Sequence, residues 1–166
     1  MKNILFFIYA SPSSPIEEQI MSVVYRYPKI SHSFECVFFD LSEDIGYYEL
    51  IRRVIEVARS ASFDKYYLVH SAETGITFRD YLVKNVLCRL NLSLVIHHPP
   101  HAKRTWINLF LRRFYFFNQK VIVTNREDYS MVKQYTSAEN IVLCPEVDGK
   151  EFTQEMFVDK LYTALA

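Results

Sequence analysis

A chain of 166 residues, half of them hydrophobic and 16% aromatic, can bury one substantial core, is too short for a second, and is too apolar to be disordered. Nineteen lysines and arginines balance nineteen aspartates and glutamates, which removes any global electrostatic drive toward nucleic acid; no nucleic-acid partner is expected. Cys36, Cys88 and Cys144 stand far apart among apolar residues and read as buried reduced thiols rather than a metal-binding set.

The first apolar run, Ile4 to Tyr9, is too short for a secretory leader, and Pro12 and Pro15 interrupt the segment after it. It reads as a core strand. No segment reaches membrane-spanning length, so a cytoplasmic protein is expected, with peripheral contact at the inner face of the membrane left open. Strand-like runs near 3–10, 34–41, 65–71, 92–97, 120–124 and 140–144 alternate with helical patterns near 15–27, 47–60, 77–90, 102–118, 126–136 and 152–165. Runs such as Leu94-Val95-Ile96 and Val121-Ile122-Val123 are apolar without alternation, the mark of strands covered on both faces. The expectation is an α/β, Rossmann-like, doubly wound and mainly parallel six-stranded sheet with helices on both faces, one domain over residues 1–166. In the helix near 47–60, Tyr48, Ile51, Ile55 and Ala58 form the expected core stripe, with Arg52, Arg53, Glu56 and Arg59 toward solvent.

Gly46, Gly75 and Gly149 are the only glycines, and none follows the first strand, where a dinucleotide cradle needs two or three. Ala10-Ser11-Pro12-Ser13-Ser14-Pro15 stands there instead, so no nucleotide cofactor is expected; Ser13 or Ser14 suits a helix cap beside a phosphate or hydroxyl.

In a parallel sheet ligands gather at the carboxyl ends of the strands. Those ends carry Ser11, Ser13 and Ser14, then Asp40, then His70, Ser71 and Glu73, then His97 and His98, then Thr124 and Asn125, with Glu127 close behind. Leu94 to Pro100 reads as a strand that delivers two histidines and is stopped by two prolines. A single strand-end histidine is ordinarily a hydrogen-bonded packing residue, but three at two neighbouring ends mark a site. Glu73 is the carboxylate nearest His70 in sequence. No metal is expected, since the HHPPH spacing holds the adjacent rings apart and no helical HxxxH occurs; Ser71 lacks the GxSxG frame of a hydrolase nucleophile.

The helix near 102–118 packs Trp106, Phe110, Phe114, Phe116 and Phe117 among Lys103, Arg104, Arg112 and Arg113. Such a helix is either sandwiched in the core with its cations reaching out or lies on a lipid or protein surface; Lys103, Arg104, Trp106, Arg112 and Arg113 are the candidate membrane or partner surface.

The order of strand–HHPP, an aromatic helix with an Arg-Arg pair, Lys120-Val-Ile-Val-Thr124-Asn125-Arg126-Glu127, and Asn140-Ile-Val-Leu-Cys-Pro145-Glu-Val147-Asp148 with Phe152 resembles the amino-terminal, acceptor-side half of GT-B glycosyltransferases of the retaining, glycogen-synthase-like group. The resemblance implies that His97 or His98 faces the transferred sugar, that Thr124 to Glu127 form the next strand-end turn, and that Pro145, Val147, Asp148 and Phe152 form a hinge toward a second domain. The family's glycine pair after the first strand is replaced by Ser-Pro-Ser-Ser, and its asparagine-glycine at the hinge by Glu146. It further implies a role in polysaccharide, glycolipid or glycoprotein synthesis with a separate donor-binding subunit, because the paired glutamates that bind a nucleotide sugar fall in a second domain. Two alternatives remain open on the residues: a non-catalytic Rossmann-like interaction module and a flavodoxin-like small-ligand binder.

Overall fold

The computed structural model describes residues 1–9, 15–71, 76–97, 106–144 and 153–166; for Pro15, Glu17, Ser71, His97 and 106–109 it describes the backbone only. The expectations placed on Ser11, Ser13, Ser14, Glu73, His98, Lys103, Arg104, Pro145, Val147, Asp148 and Phe152 lie outside the described residues, as do those on the side chains of His97 and Trp106.

Six strands form one sheet: β1 (Lys2–Ile8), β2 (Phe34–Asp40), β3 (Lys65–Ser71), β4 (Leu92–His97), β5 (Lys120–Val123) and β6 (Ile141–Leu143). Every pairing is parallel, in the spatial order β2-β1-β3-β4-β5-β6. The helices are α1 (Pro15–Arg26), α2 (Pro28–Ser31), α3 (Tyr47–Ser60), α4 (Phe78–Leu87), α5 (Trp106–Phe116), α6 (Arg126–Val132) and α7 (Gln154–Leu165). The doubly wound architecture is therefore as the apolar runs require, with the order 2-1-3-4-5 of flavodoxin-like sheets rather than the dinucleotide-binding 3-2-1-4-5-6.

Alternation along each strand divides the core in two. Ile4, Phe6, Ile8, Tyr67, Val69, Val95 and Ile122 pack beneath α1, α2 and α7. Leu5, Phe7, Leu68, Leu94, Ile96, Val121 and Val123 pack beneath α3 to α6. Phe6 lies between the rings of Phe38 and Tyr67, 5.0 Å from each, and burial of one such ring contributes roughly 1.5–3 kcal/mol. The last helix belongs to this core: Phe157, Val158, Leu161 and Leu165 are buried, and the Tyr67 hydroxyl and Lys65 Nζ donate to the carbonyls of Ala164 and Leu165 at 2.9 and 3.0 Å.

Four local expectations change. Tyr48 is 83% exposed, and the stripe that α3 buries runs through Leu50 and Val54 with Val57 and Ala58 beside it, because at about 3.6 residues per turn Tyr48 falls on the side of the helix opposite Leu50. Cys88 is exposed, since it sits at the carboxyl cap of α4 where the helix leaves the sheet; Cys36 is half-buried and Cys144 buried. The four-residue α2, begun by Pro28, was not anticipated. Arg112 is 4% exposed and so is no surface cation; on α5 the outward cation is Arg113.

Candidate functional site

Parallel pairing gathers the strand ends at one edge. Register puts His70 opposite Ile96 and Ser71 opposite His97, so β3 and β4 finish side by side, and Ile96 opposite Val123 brings Thr124 to the same level. The chain leaves β1 toward α1 on one face of the sheet and leaves β3 toward α4 on the other. Connections that diverge from neighbouring strands open a crevice between them, and in this order the divergence falls between β1 and β3.

Beneath that crevice lies a buried polar cluster. His70, at the end of β3, and Asp80, in the first turn of α4, are each 1% exposed, with His70 Nδ1 3.3 Å from Asp80 Oδ2. Thr77 caps α4: its backbone N–H and hydroxyl donate to Asp80 Oδ2 at 2.8 and 2.6 Å, and its Oγ1 accepts from the Asp80 N–H at 3.2 Å. This reciprocal capping box fixes the carboxylate at the positive end of the helix. Tyr9, the residue after β1, donates its hydroxyl to Asp80 Oδ1 at 2.5 Å. Asp80 thus joins β1, β3 and α4 across the switch point.

Burial disfavours the charged form of Asp80, but the electrostatic influence of the adjacent His70 and the hydrogen bonds from Thr77 and Tyr9 outweigh it and hold the carboxyl well below its ordinary range. Tyr115 on α5 closes the cluster, its ring 6.4 Å from that of His70. Burial, with Asp80 and Tyr9 nearby, pushes its phenol well above the usual value, and among the described residues its hydroxyl has no hydrogen-bond partner. Arg79 ties the same turn of α4 to the segment after β2, donating to the carbonyls of Leu41, Glu43 and Ile45 at 2.9, 2.7 and 3.3 Å.

Of the expected site residues, His70 is brought to the edge but lies within its wall, with Asp80 beside it. Thr124 is buried at the end of β5. Asn125 caps α6, its side-chain oxygen accepting from the Asp128 N–H at 2.7 Å and its amide donating to Asp128 Oδ2 at 2.9 Å, so its polar atoms serve the helix. Glu127 is exposed in the first turn of that helix. Tyr9, Thr77, Asp80 and Tyr115 were not anticipated; Thr77-x-x-Asp80, a capping-box spacing ahead of an apolar run, was the signal available for two of them. Among the described residues no group of three or more His, Cys, Asp or Glu could hold a metal ion.

The outer face of α5 is apolar. Phe110, Phe114 and Phe117, three and four residues apart, are between 45% and 69% exposed, the first two with ring centroids 5.1 Å apart, and Arg113 stands exposed among them. Lys84 of α4 reaches the carbonyl of Phe114 at 3.2 Å, and Asn118, in the left-handed region at φ 53°, follows the end of the helix. Among the described residues no helix is long and apolar enough to cross a membrane. No protein-family model, curated protein or solved structure matches the chain.

Proposed function

We propose that this chain is the acceptor-side domain of a GT-B-type glycosyltransferase, working with a donor-binding domain supplied from outside these residues in the synthesis of a polysaccharide, glycolipid or glycoprotein. The observation that carries the reading is the Tyr9–Asp80–His70 cluster beneath the β1/β3 switch point, beside the end of β4 where His97 stands. A charged carboxylate taken out of water costs several kcal/mol before its partners compensate, and an α/β fold gains nothing from that arrangement at its ligand-binding edge unless the edge must be held in one shape. In this reading the cluster is the rigid floor, and His97 or His98 donates a hydrogen bond to the transferred sugar or its leaving phosphate. The exposed phenylalanines and Arg113 of α5 supply peripheral membrane contact near a lipid-linked acceptor.

The test is incorporation of labelled sugar from nucleotide sugars into host membranes prepared from a strain lacking the chain. Purified wild-type protein restores incorporation and the His97→Ala/His98→Ala variant does not, while the isolated chain binds UDP- and GDP-sugars only weakly. Incorporation that is indifferent to the protein overturns the proposal. The flavodoxin-like strand order favours a second reading, a small-ligand binder, which tight calorimetric binding of a flavin or nucleotide sugar to the isolated chain would establish instead.

A further inference from the structure

Away from the strand-end edge, a cleft of about 470 Å³ opens between the carboxyl-terminal halves of α3 and α4, lined by Ile55, Ala58, Arg59, Asn85, Val86, Leu87, Arg89 and Leu90. That volume lies in the range of small-ligand sites. Its walls are apolar, its polar groups are two guanidiniums and one amide, and no acidic residue lines it.

The two arginines differ from their neighbours. Arg52 is paired with Glu49 and Glu56 at 2.7 and 2.6 Å, and Arg53 with Glu49 and Glu43 at 2.9 and 2.5 Å, so Glu43, Glu49 and Glu56 are engaged. Arg59 and Arg89 have no ion pair or hydrogen bond among the described residues, and both are exposed. Helix carboxyl termini repel anions, and Arg59 in the last turn of α3 serves partly to offset that. The two termini amount to roughly one negative charge together, so two guanidiniums leave a net attraction for an anion of about one charge.

We infer that this cleft binds the phosphate-bearing head of a lipid, with the first carbons of its apolar body on Ile55, Val86 and Leu90. Two guanidinium forks, one on the last turn of α3 and one on the turn that follows α4, can each bond a phosphate in bidentate fashion, and three phosphate oxygens serve both where a carboxylate serves one. Asn85 adds an uncharged donor on the same wall. The inference does not depend on the glycosyltransferase reading, since the cleft is separate from the strand-end edge and binding is measured without transfer.

The probe is octyl phosphate below its micelle-forming concentration, followed by NMR on the full chain, with inorganic phosphate and octyl glucoside as parallel arms. Octyl phosphate is expected to give saturable shifts at the Asn85 side-chain amide and at the Arg59 and Arg89 Nε–H groups. Inorganic phosphate and octyl glucoside should each bind at least tenfold more weakly. The Arg59→Glu/Arg89→Glu variant should lose binding at least tenfold with an unchanged thermal melt, and Lys133→Glu, an exposed cation away from the cleft, should bind as wild type. Unlocalised shifts, equal binding by the double variant, or inorganic phosphate binding as tightly as its octyl ester would each overturn the inference.

Discussion

Replacing Asp80 by Asn tests whether the cluster is what holds the switch point together. The substitution keeps the volume of the side chain, so no cavity forms, but removes a charge that accepts from Tyr9 and from two groups of Thr77 and lies 3.3 Å from His70 Nδ1. Loss of one partner from a buried, hydrogen-bonded charge pair costs about 3–5 kcal/mol, a fall in Tm of roughly 6–20 °C for a domain of this size. The pH dependence carries a second signature. A carboxyl whose folded pKa lies below its unfolded value of about 3.9 adds stability that is complete above that value and is lost as pH falls through the lower folded one. Wild-type protein should therefore lose stability steeply below about pH 4, and Asp80→Asn should show a shallower acid limb from a lower plateau. The limb does not vanish, because Arg52 and Arg53 hold the half-buried Glu49 carboxyl down at about 2. Urea denaturation followed by circular dichroism from pH 7 to pH 2.5 measures both effects. Tyr9→Phe, which deletes one hydrogen bond to the charge, should cost about 1.5–3 kcal/mol alone and much less on the Asp80→Asn background. Equal urea midpoints and superimposable acid limbs for wild type and Asp80→Asn would refute the account.

Membrane contact through α5 should be tested with Arg113→Glu and Phe114→Ser, both exposed positions, by sedimentation with anionic vesicles at low salt. The charge reversal removes about 2 kcal/mol of attraction, roughly a 30-fold loss, and the wild-type interaction should weaken as salt shortens the screening length below about 10 Å; no wild-type sedimentation defeats the idea. Arg112→Glu should instead lower thermal stability, because the side chain is buried, and an unchanged melt would contradict that burial. Iodoacetamide at pH 8 should modify Cys88 first: burial pushes the Cys36 thiol up to about 11 and the Cys144 thiol to about 12, leaving roughly one thiolate in a thousand and one in ten thousand. Peptide mapping that finds Cys144 labelled as fast as Cys88 would be incompatible with it.

The difference between what was legible in the sequence and what was not comes from the range of the forces involved. Strand runs such as Val121-Ile122-Val123 are legible because burial on both faces is written into consecutive residues, and parallel pairing is implied once each strand is separated from the next by a helix. Ends of helices are less so: α6 stops at Val132, with Lys133 at its cap, although the helical pattern runs on to 136. The cluster at the switch point was the hardest to read, because its members come from β1, β3, α4 and α5 and no two of them but Thr77 and Asp80 are close in sequence. Tyr9 and Tyr115 sit in aromatic runs where a phenol looks like any other core ring, and Asp80 looks like an ordinary acid in a first helical turn. What distinguishes them is desolvation, which depends on what the fold brings over them rather than on neighbours in the chain. His70 was singled out for its place at a strand end; its Nδ1 lies 3.3 Å from a carboxylate fixed by a helix cap, which ties the end of β3 to α4. A ligand reaching the edge between β1 and β3 would therefore meet a surface whose shape is held from below by Asp80, and a change at Asp80 should be felt there even though its carboxylate is buried.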